Sequence, residues 1–476
     1  MTPVHAFGDD ALGDDDTVGL VERLRSGEVS ATELVEAAAA RTDMVNPALN
    51  GLAYEAFDRA RREARAPLAD RFFAGVPTFV KDTVDVAGWP TMQGTDAWTP
   101  TPKPATGDFP RMYLSTGLIA LGKTQMSEFG FSGSAEHPRL RPVRNPWNPD
   151  HTAGGSSAGS AAFVAAGVVP IAHASDGAGS IRVPASCNGL VGLKPSRGRL
   201  PLDARTRRIP LRVIHNGVLT RSVRDTAAFY REAGRLWHGR GLTPIGDITR
   251  PGTRRLTFVM VTRSIVGEYT PEVRDLTLKT ATSLEELGHR VDVMDTPPVP
   301  GSVADDFLLY YAFLALALVR GGRRVFGETF DRSRLDNLTL GFERHAARNL
   351  HRLPLAISRL AALRQRTAQL FRTYDAVLTP TLASPPPAIG HFDPTAGYEQ
   401  IIGRLLEWVT YTPVQNTTGE PSISLPLAQS HDGLPVGMLF SAALGQEATL
   451  LELAYELEEA FPWRRIEDRP EKPVGT

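Results

Sequence analysis

Residues 152–180 read TAGGSSAGSAAFVAAGVVPIAHASDGAGS, and the rest of the chain is best interpreted from this stretch. Thr152 to Gly159 is small and polar, which suits a tight glycine turn. Ser160 to Gly167 contains almost nothing larger than alanine, so it predicts a helix slim enough to lie close against a sheet. Val168 to Ala172 predicts a buried strand. Ser175 to Ser180 is a second glycine turn carrying a serine at its end. Turn, helix, strand, turn is the grammar of an α/β domain.

The same alternation extends in both directions. Residues 17–65 predict helix, with Ser30 and Glu33 placed as a capping box. Val76 to Val80 predicts a buried strand ending at Lys81, and a second short strand ends at Lys123. Cys187 to Lys194 is apolar and glycine-rich. Residues 240–255 predict a loop, 256–261 a strand, Thr270 to Leu287 an amphipathic helix and Arg290 to Met294 a strand. That β–α–β order indicates a mixed or parallel sheet clothed in helices. Residues 305–372 predict mostly helix, Asp375 to Thr379 a strand, Ser422 to Leu427 and Gly437 to Ser441 two more, and 447–459 a closing helix. The expected fold is α/β, a large mixed β-sheet covered on both faces by helices. It forms one domain over 1–476, with a variable, substrate-shaping region at about 300–415.

Composition narrows the function. The chain has 476 residues, 42% hydrophobic and 22% charged, with a formal net charge of −1. No excess of Lys and Arg is available for phosphate contacts, so no nucleic-acid partner is expected. Cys187 is the sole cysteine, which precludes an internal disulfide. The first residues, Met-Thr-Pro-Val-His and then an acidic stretch, lack the basic start and apolar core of a secretion signal. A cytoplasmic location is the expectation. The longest apolar run, Phe307 to Val319, is shorter than the ~20 residues of a membrane span. It predicts a buried helix or a homodimer contact, with a lid over an oily substrate as the alternative.

Four kinds of chemistry are open to a chain of this composition. A Ser-His-Asp hydrolase wants Gly-x-Ser-x-Gly at a strand-to-helix turn followed by Asp and His, and none is convincing here. His151 and His173 alone lie near the glycine turns. No His-x-x-x-His or Cys-x-x-Cys pair offers metal ligands, so no metal is expected. The loop Gly154 to Gly159 could cradle a phosphate, but a P-loop ends in Gly-Lys-Ser/Thr and this one continues Gly159-Ser160-Ala161. A serine–lysine pair remains. Lysine acts as a base only when burial strips its proton near neutral pH. Lys81 follows an apolar strand that would carry it inside, although a strand-end lysine can also reach outward to water.

At these residues the chain resembles the amidase signature family. Gly154 to Ala162 is similar to its Gly-Gly-Ser-Ser-Gly-Gly-Ser, and Ser175 to Ala185 to its Thr-Asp-x-Gly-Gly-Ser-Ile-Arg-x-Pro-Ala. Gly189 to Pro195 is similar to its Gly-Leu-Lys-Pro tail, and Gly75 to Asp82 to the strand bearing its lysine. Asn145-Pro146-Trp147-Asn148, Gly419 to Pro426 and Gly433 to Gly437 are also family-like. Ser156 and Ser180 stand 24 residues apart, the family's spacing. The resemblance implies that Ser180 attacks an amide carbonyl, Ser156 relays its proton, and Lys81 is the base. It implies a cis peptide between Gly155 and Ser156, and an oxyanion hole made by the N–H groups of Gly177, Ala178, Gly179 and Ser180. Ser157, Asp176 and Arg182 would be supports. No cofactor is implied, and the partner is a small-molecule amide.

The chain departs from the family in three places. Ala158 and Ala178 replace glycines, and Ser175 replaces threonine. Among members, the run Ala174 to Lys194 is similar to that of 6-aminohexanoate cyclic-dimer hydrolases. Those carry an active-site cysteine in a helix of the variable region, where this chain has Tyr310 and Tyr311. The alternative within the family is the glutaminase subunit of a tRNA-dependent amidotransferase, whose version usually has Gln after Ser-Ile-Arg; here Val183 follows. A nucleotide-binding module is the reading from another class.

Overall fold

The computed structural model describes residues 2–239 and 241–468. Met1, Arg240 and 469–476, which the expected domain span and the 240–255 loop include, lie outside the described residues.

Among the described residues, eleven strands form one sheet. They are β1 (Leu52–Glu55), β2 (Pro77–Lys81), β3 (Ile119–Thr124), β4 (Ile171–Asp176), β5 (Val191–Lys194), β6 (His215–Thr220), β7 (Thr257–Val261), β8 (Arg290–Met294), β9 (Ala376–Pro380), β10 (Ser422–Gln429) and β11 (Pro435–Ala442). Their spatial order is β1-β3-β2-β4-β6-β5-β10-β11-β9-β7-β8. The sheet is mixed: β2 runs parallel to β3 and β4, and β7 to β8 and β9. The pairs from β4 through β6, β5, β10 and β11 to β9 are antiparallel. Every residue of β2 to β6 and of β11 is buried. A strand buried at every position is covered on both faces, so helices close the sheet on either side.

The N-terminal region is helix interrupted by a strand. Helices Thr17–Ser26, Ala31–Leu49 and Phe57–Arg65 flank β1, so the continuous helical segment expected over 17–65 is corrected. Ser30 and Glu33 do form the capping box. The second helix ends because Asn50 takes a left-handed conformation, φ 55°, and the chain turns into β1 against β3. Four residues of alternating burial were too short a pattern to stand out from the helices around them.

The strand expected at Val168 to Ala172 begins later. The helix of small residues is Ala158–Ala165, and the Val168 amide still serves its end by donating to Phe163 O at 2.9 Å. The strand proper runs from Ile171 to Asp176, which delivers the second glycine turn at its tip. Several elements fall outside the sequence reading, among them strand β6, between β4 and β5, and the helices Asp108–Leu114, Val223–Leu236 and Tyr398–Trp408.

The apolar run 307–319 lies within helix Ser302–Arg320. Among the described residues it alone has the length and apolarity of a membrane span, and 56% of its most apolar stretch is buried inside the protein. It packs on helices Asn337–Asn349 and Leu353–Leu370. Its Phe307, Leu308 and Tyr311 face a cavity beside Ser180.

Candidate active site

Three segments meet at the tips of β2 and β4. Lys81 is the last residue of β2. Ser156 lies on the glycine turn before helix Ala158–Ala165, and the Gly155–Ser156 peptide is cis. Ser180 ends the glycine turn after β4. Because β2 and β4 are neighbours and parallel, both chain ends arrive on the same side.

The Lys81 side chain is buried, with 1% of its surface exposed. Its Nζ donates to Ser156 Oγ at 2.7 Å, to Ser175 Oγ at 3.1 Å and to Ser175 O at 3.2 Å. Burial pulls the amine down to about 7, against the opposing pull of the Asp176 carboxylate. A neutral amine is therefore available at physiological pH, and of the two hydroxyls in its reach Ser156 is the nearer. His173 is packed beneath it. The Lys81 backbone N–H donates to His173 Nδ1 at 3.2 Å, and His173 Nε2 meets Asn216 Oδ1 at 3.3 Å. Burial, reinforced by the Lys81 charge, holds His173 down to about 3, so it stays neutral as a spacer between strands.

Ser180 is 7% exposed. Among the described residues its hydroxyl has no hydrogen-bond partner, and it lines two cavities. Ser157 braces it from behind, with Oγ donating to Ser180 O at 2.5 Å. Lys81 and Ser156 are thus joined directly, while Ser180 stands beside Ser156 on a shared wall without bonding to it.

The turn between Asp176 and Ser180 is held by a carboxylate. Asp176 accepts from the amides of Gly179 at 2.7 Å and Ile181 at 3.1 Å. Arg182 grips both its oxygens, Nε to Oδ2 and Nη2 to Oδ1, each at 2.9 Å. Burial would raise this carboxyl, but the guanidinium and the Asn416 amide hold it well below the usual carboxylate range. Thr412 Oγ1 donates to Ala178 O at 2.6 Å, so the Ala178–Gly179 peptide is tied at both its polar atoms. This corrects one expectation: the Gly179 N–H is committed to Asp176 and is not free for an oxyanion. The amides of Gly177, Ala178 and Ser180 have no partner among the described residues. Gly179 itself has φ 136°, and a methyl there would overlap Thr412, so glycine is required. Ala178 stays outside the left-handed region, which is why alanine is tolerated.

Several supporting residues were missed from sequence. Asn416 sends Nδ2 to Asp176 Oδ1 at 2.8 Å and to Val213 O at 2.9 Å, and its Oδ1 accepts from Arg182 at 2.6 Å. Gln415 and Ser422 also bond Arg182, each at 3.1 Å. The neighbouring Gly419 to Pro426 motif marked this region, but nothing in it named Asn416. Lys123 makes a buried ion pair with Asp82 at 3.2 Å and bonds Thr91 at 2.6 Å, anchoring the loop that follows Lys81. No cluster of three or more His, Cys, Asp or Glu suited to a metal is found among the described residues.

The Amidase family model matches residues 33–451. "Putative amidase AmiC" of Mycobacterium leprae (strain TN) is 64% identical over 467 residues, covering 98% of this chain and 99% of that protein. The 6-aminohexanoate-cyclic-dimer hydrolase of Paenarthrobacter ureafaciens is 34% identical, covering 94% of this chain and 95% of its own. The solved structure of 6-aminohexanoate cyclic dimer hydrolase with its substrate superposes with a TM-score of 0.83 at 29% identity, over 97% of this chain and 99% of that one.

Proposed function

We propose how this chain, which belongs to the Amidase family and is a hydrolase of amides, cuts its substrate. Ser180 attacks the carbonyl of a small carboxylic amide. Its proton passes to Ser156 as the proton of Ser156 passes to Lys81. The tetrahedral oxyanion is received by the free amides of Gly177, Ala178 and Ser180, each donor of this kind being worth about 3–4 kcal/mol in the transition state. Collapse expels the amine, which takes a proton from Ser156 as Lys81 returns its own to Ser156, so that the amine leaves neutral and Lys81 is again a free base. Water then attacks the acyl-Ser180 ester with the same two groups acting as base.

The observation that carries this reading is Lys81 Nζ at 2.7 Å from Ser156 Oγ, with the amine brought to about 7 by burial. Proton transfer by a base works best when its pKa lies near the working pH, and here it does. Asp176, Arg182 and Asn416 act by fixing the turn that aims Ser180 and the amides. Purified protein should release aniline from a simple anilide or ammonia from a primary amide, and Ser180→Ala should abolish that release. Unchanged turnover in Ser180→Ala would remove the mechanism.

A further inference from the structure

Two cavities of different character meet at Ser180, and their placement relative to Ser156 assigns the two halves of the substrate. The first is walled by Phe131, Phe307, Phe342, Ile402 and Leu405. None of the residues described as lining it carries a charge. The second is lined by Lys81, Ser156, Asp203, Thr206 and Asn216, together with apolar side chains such as Met126 and Phe129. Tyr311 borders both, as does Gly130. The phenol is half-buried, its hydroxyl has no hydrogen-bond partner among the described residues, and a methyl on Gly177 would overlap it. Tyr311 is therefore the partition, standing over the turn that carries the free amides.

This inference rests on the reaction proposed above. There the leaving nitrogen must face the hydroxyl that returns its proton. Ser156 lines the polar cavity and not the apolar one. The amine half must then lie on the polar side, and the acyl half points the opposite way, past Tyr311 into the ring of aromatic and aliphatic side chains. We infer that the substrate is an amide with an uncharged, apolar acyl group, seated between Phe131, Phe307, Phe342 and Leu405, and a polar amine half that departs past Asp203 and Thr206. A carboxylate or ammonium on the acyl group would be buried among hydrocarbon with no partner, which a site of this kind rejects strongly. Glutamine, which carries both, falls in the rejected class.

The test compares amides of one amine, ethanolamine, with two acyl groups of equal length: hexanoyl, and the adipoyl group whose far end is a carboxylate. Ethanolamine release should show kcat/KM at least a hundredfold higher for hexanoyl. Equal rates, or a preference for the carboxylate, would overturn the inference while leaving the hydrolase reading intact. Orientation is tested by Leu405→Trp, which fills the apolar cavity. It should lower the hexanoyl-to-acetyl ratio of kcat/KM at least tenfold. Thr206→Trp should instead lower the ratio for large over small amines in a series of acetyl amides. The opposite pattern would exchange the two cavities and refute the assignment, and either variant suffices if the other fails to fold. If wild type and Ser180→Ala are equally inactive on every amide, the proposed reaction falls and this inference falls with it.

Discussion

Replacing Lys81 with methionine separates the chemistry of this site from its stability. The side chain keeps its length but loses the amine. In an unfolded chain that amine titrates near 10.5, and in the folded protein near 7. Between those values the unfolded chain holds a proton that the folded protein lacks. Stability therefore rises with pH across that window, and the burden of keeping the amine buried is greatest below pH 7. The separation of 10.5 from about 7 corresponds to about 5 kcal/mol at low pH, about 4 at pH 7 and about 2 at pH 9. Lys81→Met lacks this term, so the stability of wild type relative to the variant should improve by about 2 kcal/mol between pH 7 and pH 9. His173 does not titrate in that range, because it is held to about 3. Urea unfolding of both proteins at the two pH values, followed by tryptophan fluorescence, measures the difference. The same variant should lose roughly 10²–10⁴-fold in kcat. Wild-type kcat/KM should climb tenfold per pH unit on its acid side and level off above about 7, as the amine becomes free. A stability difference that does not change between pH 7 and 9, or a flat rate profile through pH 7, would refute a buried amine poised near neutrality.

Arg182→Met would leave the Asp176 carboxylate buried and uncompensated, and should lower stability by about 3–5 kcal/mol in chemical denaturation; a loss below about 1 would show that Asn416 suffices alone. Gly179→Ala forces a side chain into φ 136° and onto Thr412, so kcat should fall at least a hundredfold on the anilide that reports Ser180, measured after circular dichroism confirms folding. Ser30→Ala removes a cap 3.2 Å from the Glu33 amide and should cost about 1 kcal/mol in the denaturation midpoint while kcat stays unchanged.

The candidate site of this protein was legible because it is encoded locally. A serine on a turn after β4, a second serine on a turn before a helix and a lysine ending β2 each lie within a short, distinctive stretch. The capping box at Ser30 was readable for the same reason: its two partners are three residues apart. What escaped depends on pairing across distance. β6 reads His-Asn-Gly-Val-Leu-Thr, with two large apolar residues and a central glycine, and only its place between β4 and β5 makes it a strand. Asn416 looks like any polar residue before a helix end until Arg182, Asp176 and Val213 converge on it. The commitment of the Gly179 amide was hidden because motif spacing says which peptides stand in a turn, not which way each one faces. The apolar run 307–319 offered its length in advance, whereas its role as a cavity wall came from the helices packed around it.

The clamp on Asp176 has a consequence for how the enzyme comes into being. Arg182 is made early in synthesis, but Gln415, Asn416 and Ser422, which complete its shell, emerge from the ribosome some 230–240 residues later. A nascent chain that has reached residue 400 already contains both serines and the lysine, yet the loop presenting Ser180 is still unsecured. Fragments ending before residue 412 should be silent, and adding the missing piece in trans offers a way to awaken them.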